Sequence, residues 1–217
     1  MSLRFRAWES VSVAKPAPNI ILASQSPRRR YLLERAGLTF SVIPSEFDET
    51  SVQTAAPSDY VQTLAQAKAE DVAARHPDSW VIGADTIVVV GGRMLGKPAS
   101  QKEAGDMLRR LSGRTHQVLT GWCVRRRSTG MSHSETACTD VLFKELSADE
   151  IRWYIQTGEP FDKAGGYAIQ GIGTFLVKRI SGSYTNVVGL PVCEVIEFLI
   201  REKVVGFDAP PSPFLAE

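Results

Sequence analysis

The sequence predicts an α/β protein built on an elongated mixed β-sheet flanked by helices, and three observations carry that expectation. Short apolar runs of strand length alternate along the chain with capped helical stretches. Two of those runs are joined by Gly91-Gly92, the signal of a hairpin rather than a helical crossover. No internal repeat is present, and no apolar run approaches the ~20 residues that span a membrane. Interleaving gives the α/β class, and hairpins among the crossovers make the sheet mixed rather than doubly wound. At 217 residues the chain suits one domain, or one divided into two lobes.

Taken in order, the first eighteen residues read as an extension, most simply a flexible one. An organellar presequence is the alternative, against which stands the lack of a long amphipathic pattern. NIILAS (19–24) is a short buried strand. Ser26, Pro27 and Gly37 frame a helix, as N-cap, first helical residue and C-terminal glycine. TFSVIPSEFDET (39–50) continues as a strand and a loop bearing Glu46, Asp48 and Glu49. Ser58 caps a long helix with Val61, Leu64, Ala65, Val72 and Ala73 at helical spacing. WVIGADTIVVVGGRMLGKP (80–98) is the hairpin. Ser100 with Glu103, and Ser147 with Glu150, form capping boxes for two further helices. QVLTGWCV and TACTDVLF are strands between them. GTFLVKRI reads as a strand, NVVGLP as extended chain, and a last helix begins at Pro191. The domain therefore covers 19–207, followed by a Pro-rich tail over 208–217.

Composition excludes several functions. A net charge of +1 argues against a nucleic-acid-binding field, so no stable nucleic-acid complex is expected. The second Arg run, Arg125–Arg127, reads as a solvated strand end. Cys123, Cys138 and Cys193 form no CxxC pair, and His76, His116 and His133 are isolated. The first fits thiols in a reducing compartment, the second leaves no zinc spacing.

Three features carry chemistry. Asp85 stands inside an otherwise apolar strand, where an unpaired carboxylate is costly. It is either satisfied locally or poised for metal or proton transfer, and the hairpin brings Lys97 near it. DKAGGYAIQG (162–171) combines glycines that admit close backbone approach with the donor-acceptor amide of Gln170. Arg28, Arg29 and Arg30 crowd a helix N-terminus, where each cation opposes the dipole by about 0.3–1 kcal/mol. A polyanion at that end resolves the conflict, since amides, dipole and guanidinium forks then converge on phosphates. Asp48, Glu49 and Asp85 supply carboxylates for a hard divalent cation. The inventory is that of a nucleotide site.

LASQSPRRRYLL, IGADTIVVVGGRMLGKP, MLRRLSGRTHQVLTG, GEPFDKAGGYAIQGIG and GSYTNVVGLP resemble the Maf family of nucleoside triphosphate pyrophosphatases, in order from about Asn19 to about Leu199. Within the family the chain is similar to the branch acting on dTTP and UTP. The resemblance implies a Maf or inosine-triphosphatase-like fold, two lobes around a central cleft, and a homodimer. It implies Asp85 as catalytic or metal carboxylate, and Arg28, Thr86 and Gln170 as substrate-selecting residues. Lys68 and Lys97 would bind phosphate, with Ser24, Ser26 and Arg29 beside them. Asp48 or Glu49 would complete a site for Mg²⁺ or Mn²⁺. Tyr31 and Ala168 depart from the family's usual Glu and Gly. The expected activity is conversion of dTTP or UTP to monophosphate and pyrophosphate in the cytoplasm. Two alternatives are a purine-type pyrophosphatase and a nucleotide- or nucleic-acid-binding regulator of cell division without turnover.

Overall fold

Ile20, Ile21 and Leu22 are buried and form the short strand β1 (Ile20–Leu22). The computed structural model describes residues 19–53 and 56–206. The expected extension over 1–18, the boundary at 207 and the tail over 208–217 lie outside the described residues. Helix α1 (Pro27–Arg35) follows, its Ser26 hydroxyl accepting from the Arg29 amide, and Gly37 takes the left-handed conformation beyond its end. The strand expected after it shrinks to β2 (Ser41–Val42). Helix α2 (Pro57–Arg75) starts two residues before the Asp59 start expected of a helix capped by Ser58. Proline needs no amide partner at the first helical position, so the helix begins there without a side-chain cap, and the Ser58 hydroxyl bonds Asp59 instead.

The hairpin is β3 (Trp80–Val90) and β4 (Arg93–Leu95), with Gly91 and Gly92 both at positive φ in the turn. Helix α3 (Gln101–Leu111) is capped by Ser100, but Glu103 reaches back to the Ala99 amide rather than closing the box. Strands β5 (Thr115–Arg126) and β6 (Met131–Phe143) are the longest, and β6 begins five residues before the expected Thr136. Helix α4 (Ala148–Gln156) carries the complete Ser147–Glu150 capping box. The strand expected over GTFLVKRI divides into a 3-10 turn, Gly171–Leu176, and β7 (Val177–Ser181). The extended reading of NVVGLP is corrected to helix: Ser183 accepts from the Asn186 amide and caps α5 (Tyr184–Val188). Helix α6 (Val192–Arg201) ends the described chain.

The seven strands make one sheet in the order β2-β1-β3-β5-β6-β7, with β4 also on β3. β1 runs parallel to β2 and β3, and every other pair is antiparallel, as expected of a mixed sheet. One edge of β3 has two different neighbours. β1 covers Trp80 to Ile82 and β4 covers Val88 to Val90. Between them, residues 83–87 pair with β5 on one side and have no strand on the other. That gap opens the cleft.

Helix α2 crosses the sheet over β3 and β5, and two glycines let it come close. A Cβ on Gly83 would stand 2.4 Å from the Ala65 carbonyl oxygen, and one on Gly121 would stand 2.3 Å from that of Val61. Alternation along β3 puts Val81, Ile87 and Val89 against α2 and its surroundings. The opposite face splits into two cores. Ile82 and Ala84 join Leu33, Trp122 and Phe198 at one end, while Val88 and Val90 join Leu108, Phe143 and Tyr154 at the other. Each fully buried Leu or Ile there contributes about 1.5–3 kcal/mol.

Candidate active site

The cleft over the β3 gap encloses about 730 Å³, within the range of small-molecule sites. Asp85 lies on its floor because odd residues of β3 face α2, and Thr86 lies beside it with its side chain on the other sheet face. Lys68, on α2, reaches down with its ammonium 2.7 Å from Asp85 Oδ1 and 2.8 Å from Glu49 Oε1. Asp85 and Lys68 are nearly covered, at 14% and 12% side-chain exposure, whereas Glu49 is half exposed. The close packing of α2 on Gly83 and Gly121 is what brings Lys68 within hydrogen-bonding distance.

The three arginines of α1 go three ways. Arg28 crosses the cleft to the loop before β7: its Nη1 lies 2.6 Å from Asp162 Oδ2 and its Nη2 donates to the Asp162 carbonyl at 3.2 Å. Arg30 pairs with Glu34 one turn on, in solvent. Arg29 is buried. Its Nε donates to the Gly189 carbonyl at 2.8 Å, Nη1 to the Ala84 carbonyl and Ser24 Oγ, and Nη2 to Thr86 Oγ1. Four of its five N–H donors are therefore spent within the protein. Burial lowers the pKa of Arg29, and the nearby charge of Asp85 works against that shift.

Ser24 accepts from Arg29 and from the Ser26 amide, while Ser26 caps α1, so both serines serve the helix end that borders the cleft. Lys97 is exposed on the opposite rim. The hairpin ladder stops at Leu95, so the pairing that placed Lys97 next to Asp85 does not extend to it. Gln170 lines the cleft with its carboxamide outside any hydrogen bond among the described residues. Asp48 points elsewhere. Its carboxylate accepts from the Thr50 amide and hydroxyl, which hold its pKa below the usual range, and it does not border the cleft. Among the described residues no three acidic, His or Cys side chains gather as a metal cluster.

Sequence reasoning did not single out Asp162, Lys163 or Tyr167. Lys163 bonds Asp162 Oδ1 at 2.5 Å, so Asp162 sits between two cations. Partial burial raises the Asp162 pKa, but Lys163 and Arg28 outweigh that and hold it low. The Tyr167 hydroxyl lies 2.7 Å from Nε2 of His116, whose pKa burial pushes down to about 4. All three residues lie in or beside the DKAGGY run, so the signal was local even though the partners were not.

Five cationic side chains and three carboxylates line one cleft, with a helix N-terminus at its wall. The fold and site thus define an α/β protein with a strongly charged cleft of small-molecule size beside a helix N-terminus. The chain belongs to the Maf family, whose Maf-like protein description matches residues 19–202. It is 54% identical over 180 residues to a dTTP/UTP pyrophosphatase of Syntrophus aciditrophicus, covering 83% of this chain and 88% of the relative. A second dTTP/UTP pyrophosphatase, from Syntrophotalea carbinolica, is 48% identical over 200 residues, or 91% and 90% of the two chains. The solved Ham1 protein of Staphylococcus aureus is similar at 16% identity over 85% of this chain and 99% of that one. Its TM-score is 0.48.

Proposed function

We propose that this chain hydrolyses dTTP and UTP to the nucleoside monophosphate and pyrophosphate. The observation that carries the reading is the group of Asp85, Lys68 and Glu49 facing Arg28 across one cleft, in a chain about half identical to relatives of that name. The triphosphate lies between the N-terminus of α1 and Lys97, where amides, Arg28 and two lysines meet its charge. Water attacks the α-phosphorus, the bond from that phosphorus to the bridging oxygen breaks, and pyrophosphate leaves with the electron pair. Asp85 accepts the proton lost by the water. Lys68 orients Asp85 and contributes positive charge. Gln170 and Thr86 meet the base and sugar end.

A divalent cation fits the donors present. Lys68 bonds one oxygen each of Asp85 and Glu49, and their other carboxylate oxygens would hold Mg²⁺ or Mn²⁺ beside the ammonium. Such an ion would neutralise phosphate charge. Asp48 would need to turn from Thr50 to join it. The reading includes a homodimer acting in the cytoplasm, with no nucleic-acid partner. No helix among the described residues is long and apolar enough to cross a membrane.

Pyrophosphate release from each common nucleotide, with Mg²⁺ or Mn²⁺, tests the assignment. Asp85→Asn should lose at least ~100-fold in kcat, on the scale of general acid-base catalysis. Near-normal turnover by that variant, or release of orthophosphate instead, would overturn the mechanism. Sedimentation checks the dimer.

A further inference from the structure

Gln170 stands on a short loop that ought to be loose, since it carries two glycines and precedes a 3-10 turn whose first amides have no local cap. It is held from outside the cleft. Glu159, eleven residues before Gln170, accepts from the Ile172 amide with Oε1 at 3.1 Å and from the Gly173 amide with Oε2 at 2.8 Å. Tyr154, fully buried on α4, accepts from the Ala168 amide through its hydroxyl at 3.2 Å. The backbone is thus fixed two residues before Gln170 and two residues after it.

The glycines fit this clamp. Gly171 lies at φ +69, and a Cβ there would stand 2.3 Å from Glu159 Oε1. A Cβ on Gly173 would stand 2.6 Å from the Tyr154 hydroxyl. Neither Glu159 nor Tyr154 borders the cleft, so neither touches what the cleft binds. We infer that Glu159 is a positioning residue for base selection: by gripping the Ile172 and Gly173 amides it fixes the backbone from which the Gln170 carboxamide reaches the uracil or thymine edge. The inference rests on Gln170 being the base reader. A loop that is free to shift lets the carboxamide settle against uracil or cytosine alike, since its donor and acceptor match either base edge. The clamp removes that freedom of the loop.

The experiment compares kcat/KM for UTP and CTP in the wild type, Glu159→Gln, Glu159→Asp and Gln170→Ala. Inhibition by tripolyphosphate, which has no base, reports the phosphate end. Glu159→Gln turns an NH₂ toward one of the two amides, and the UTP:CTP ratio should fall about 10-fold, the effect of losing one hydrogen bond to a charged acceptor. Tripolyphosphate inhibition should stay within about two-fold, because Arg28, Lys68 and Lys97 are untouched. Glu159→Asp keeps both acceptors and should restore part of the ratio. Gly171→Ala attacks the same contact from the loop side and should reproduce the loss, which keeps the test decisive if Glu159→Gln does not fold. An equal fall for UTP, CTP and tripolyphosphate overturns the inference, since Glu159 then merely supports the fold. A ratio unchanged in Glu159→Gln but lost in Gln170→Ala overturns it alone. A ratio unchanged in Gln170→Ala removes the base reader itself, and the inference with it.

Discussion

Gly121→Ala adds one methyl group under α2, on β5 at the position paired with Asp85, and should remove most activity. The new Cβ would stand 2.3 Å from the carbonyl carbon and oxygen of Val61, where ordinary contact begins at 3.4 Å. Backbone on both sides leaves no flexible side chain to yield, so α2 must lift by roughly 1 Å. Lys68 follows Val61 by seven residues, two helical turns and about 10 Å along the same face, so the lift reaches it. At 12% exposure its side chain has little slack, and a 2.7 Å contact with Asp85 lengthened by that amount is no longer a hydrogen bond. A misplacement of about 1 Å at a reacting centre costs on the order of 100-fold, and overpacking about 1–3 kcal/mol of stability. Pyrophosphate release from UTP and urea denaturation measure the two effects. Gly91→Ala is the control: at φ +54 it strains a turn with nothing within 4 Å, so stability should fall and kcat/KM should not. If Gly121→Ala loses stability yet keeps kcat/KM within about 3-fold, the spacing of α2 does not set Lys68.

Arg28→Ala should change apo stability by no more than about 1 kcal/mol, because its partner Asp162 is half exposed, while KM for UTP rises at least ~10-fold; an unchanged KM removes Arg28 from the phosphate site. His116→Gln should flatten the acid limb of stability. Native His116 resists protonation down to about pH 4, whereas the unfolded side chain takes up a proton near pH 6.5. Stability is therefore full above pH 6.5 and falls between the two values, by up to about 3 kcal/mol from this residue. Urea midpoints at pH 7 and 4.5 should separate less in the variant than in the wild type, and equal separation refutes the assignment.

What the sequence made legible is what short-range chemistry decides. Ser26-Pro27 and Ser147–Glu150 name their helices because a cap and the amide it satisfies lie within four residues. Asp85 stood out because an apolar strand makes a carboxylate conspicuous. Lys68 carries no such mark on α2; only resemblance pointed to it, since its partners are 17 and 19 residues away in sequence. NVVGLP carries two β-branched residues that suit extended chain, but the Ser183 cap before it starts a helix. Asp162 and Arg28 are 134 residues apart, and no local pattern reveals that pairing. The dipole conflict in α1 was real but incompletely read, because Asp162 supplies the missing negative charge from another element.

Arg29 gives the molecule a different property, one of assembly. Its guanidinium ties α1 to the centre of β3 and to the turn between α5 and α6, segments separated by up to 160 residues. While α1 is undocked, that charge is hydrated; on docking it exchanges water for two carbonyls and two hydroxyls at once. A half-docked helix would keep a desolvated cation with part of its partners, the costliest arrangement available. Lysine, a point charge without a fork, could not replace it. The network therefore favours a wall that is fully docked or fully released over any position between, and the wall that carries Arg28 follows it.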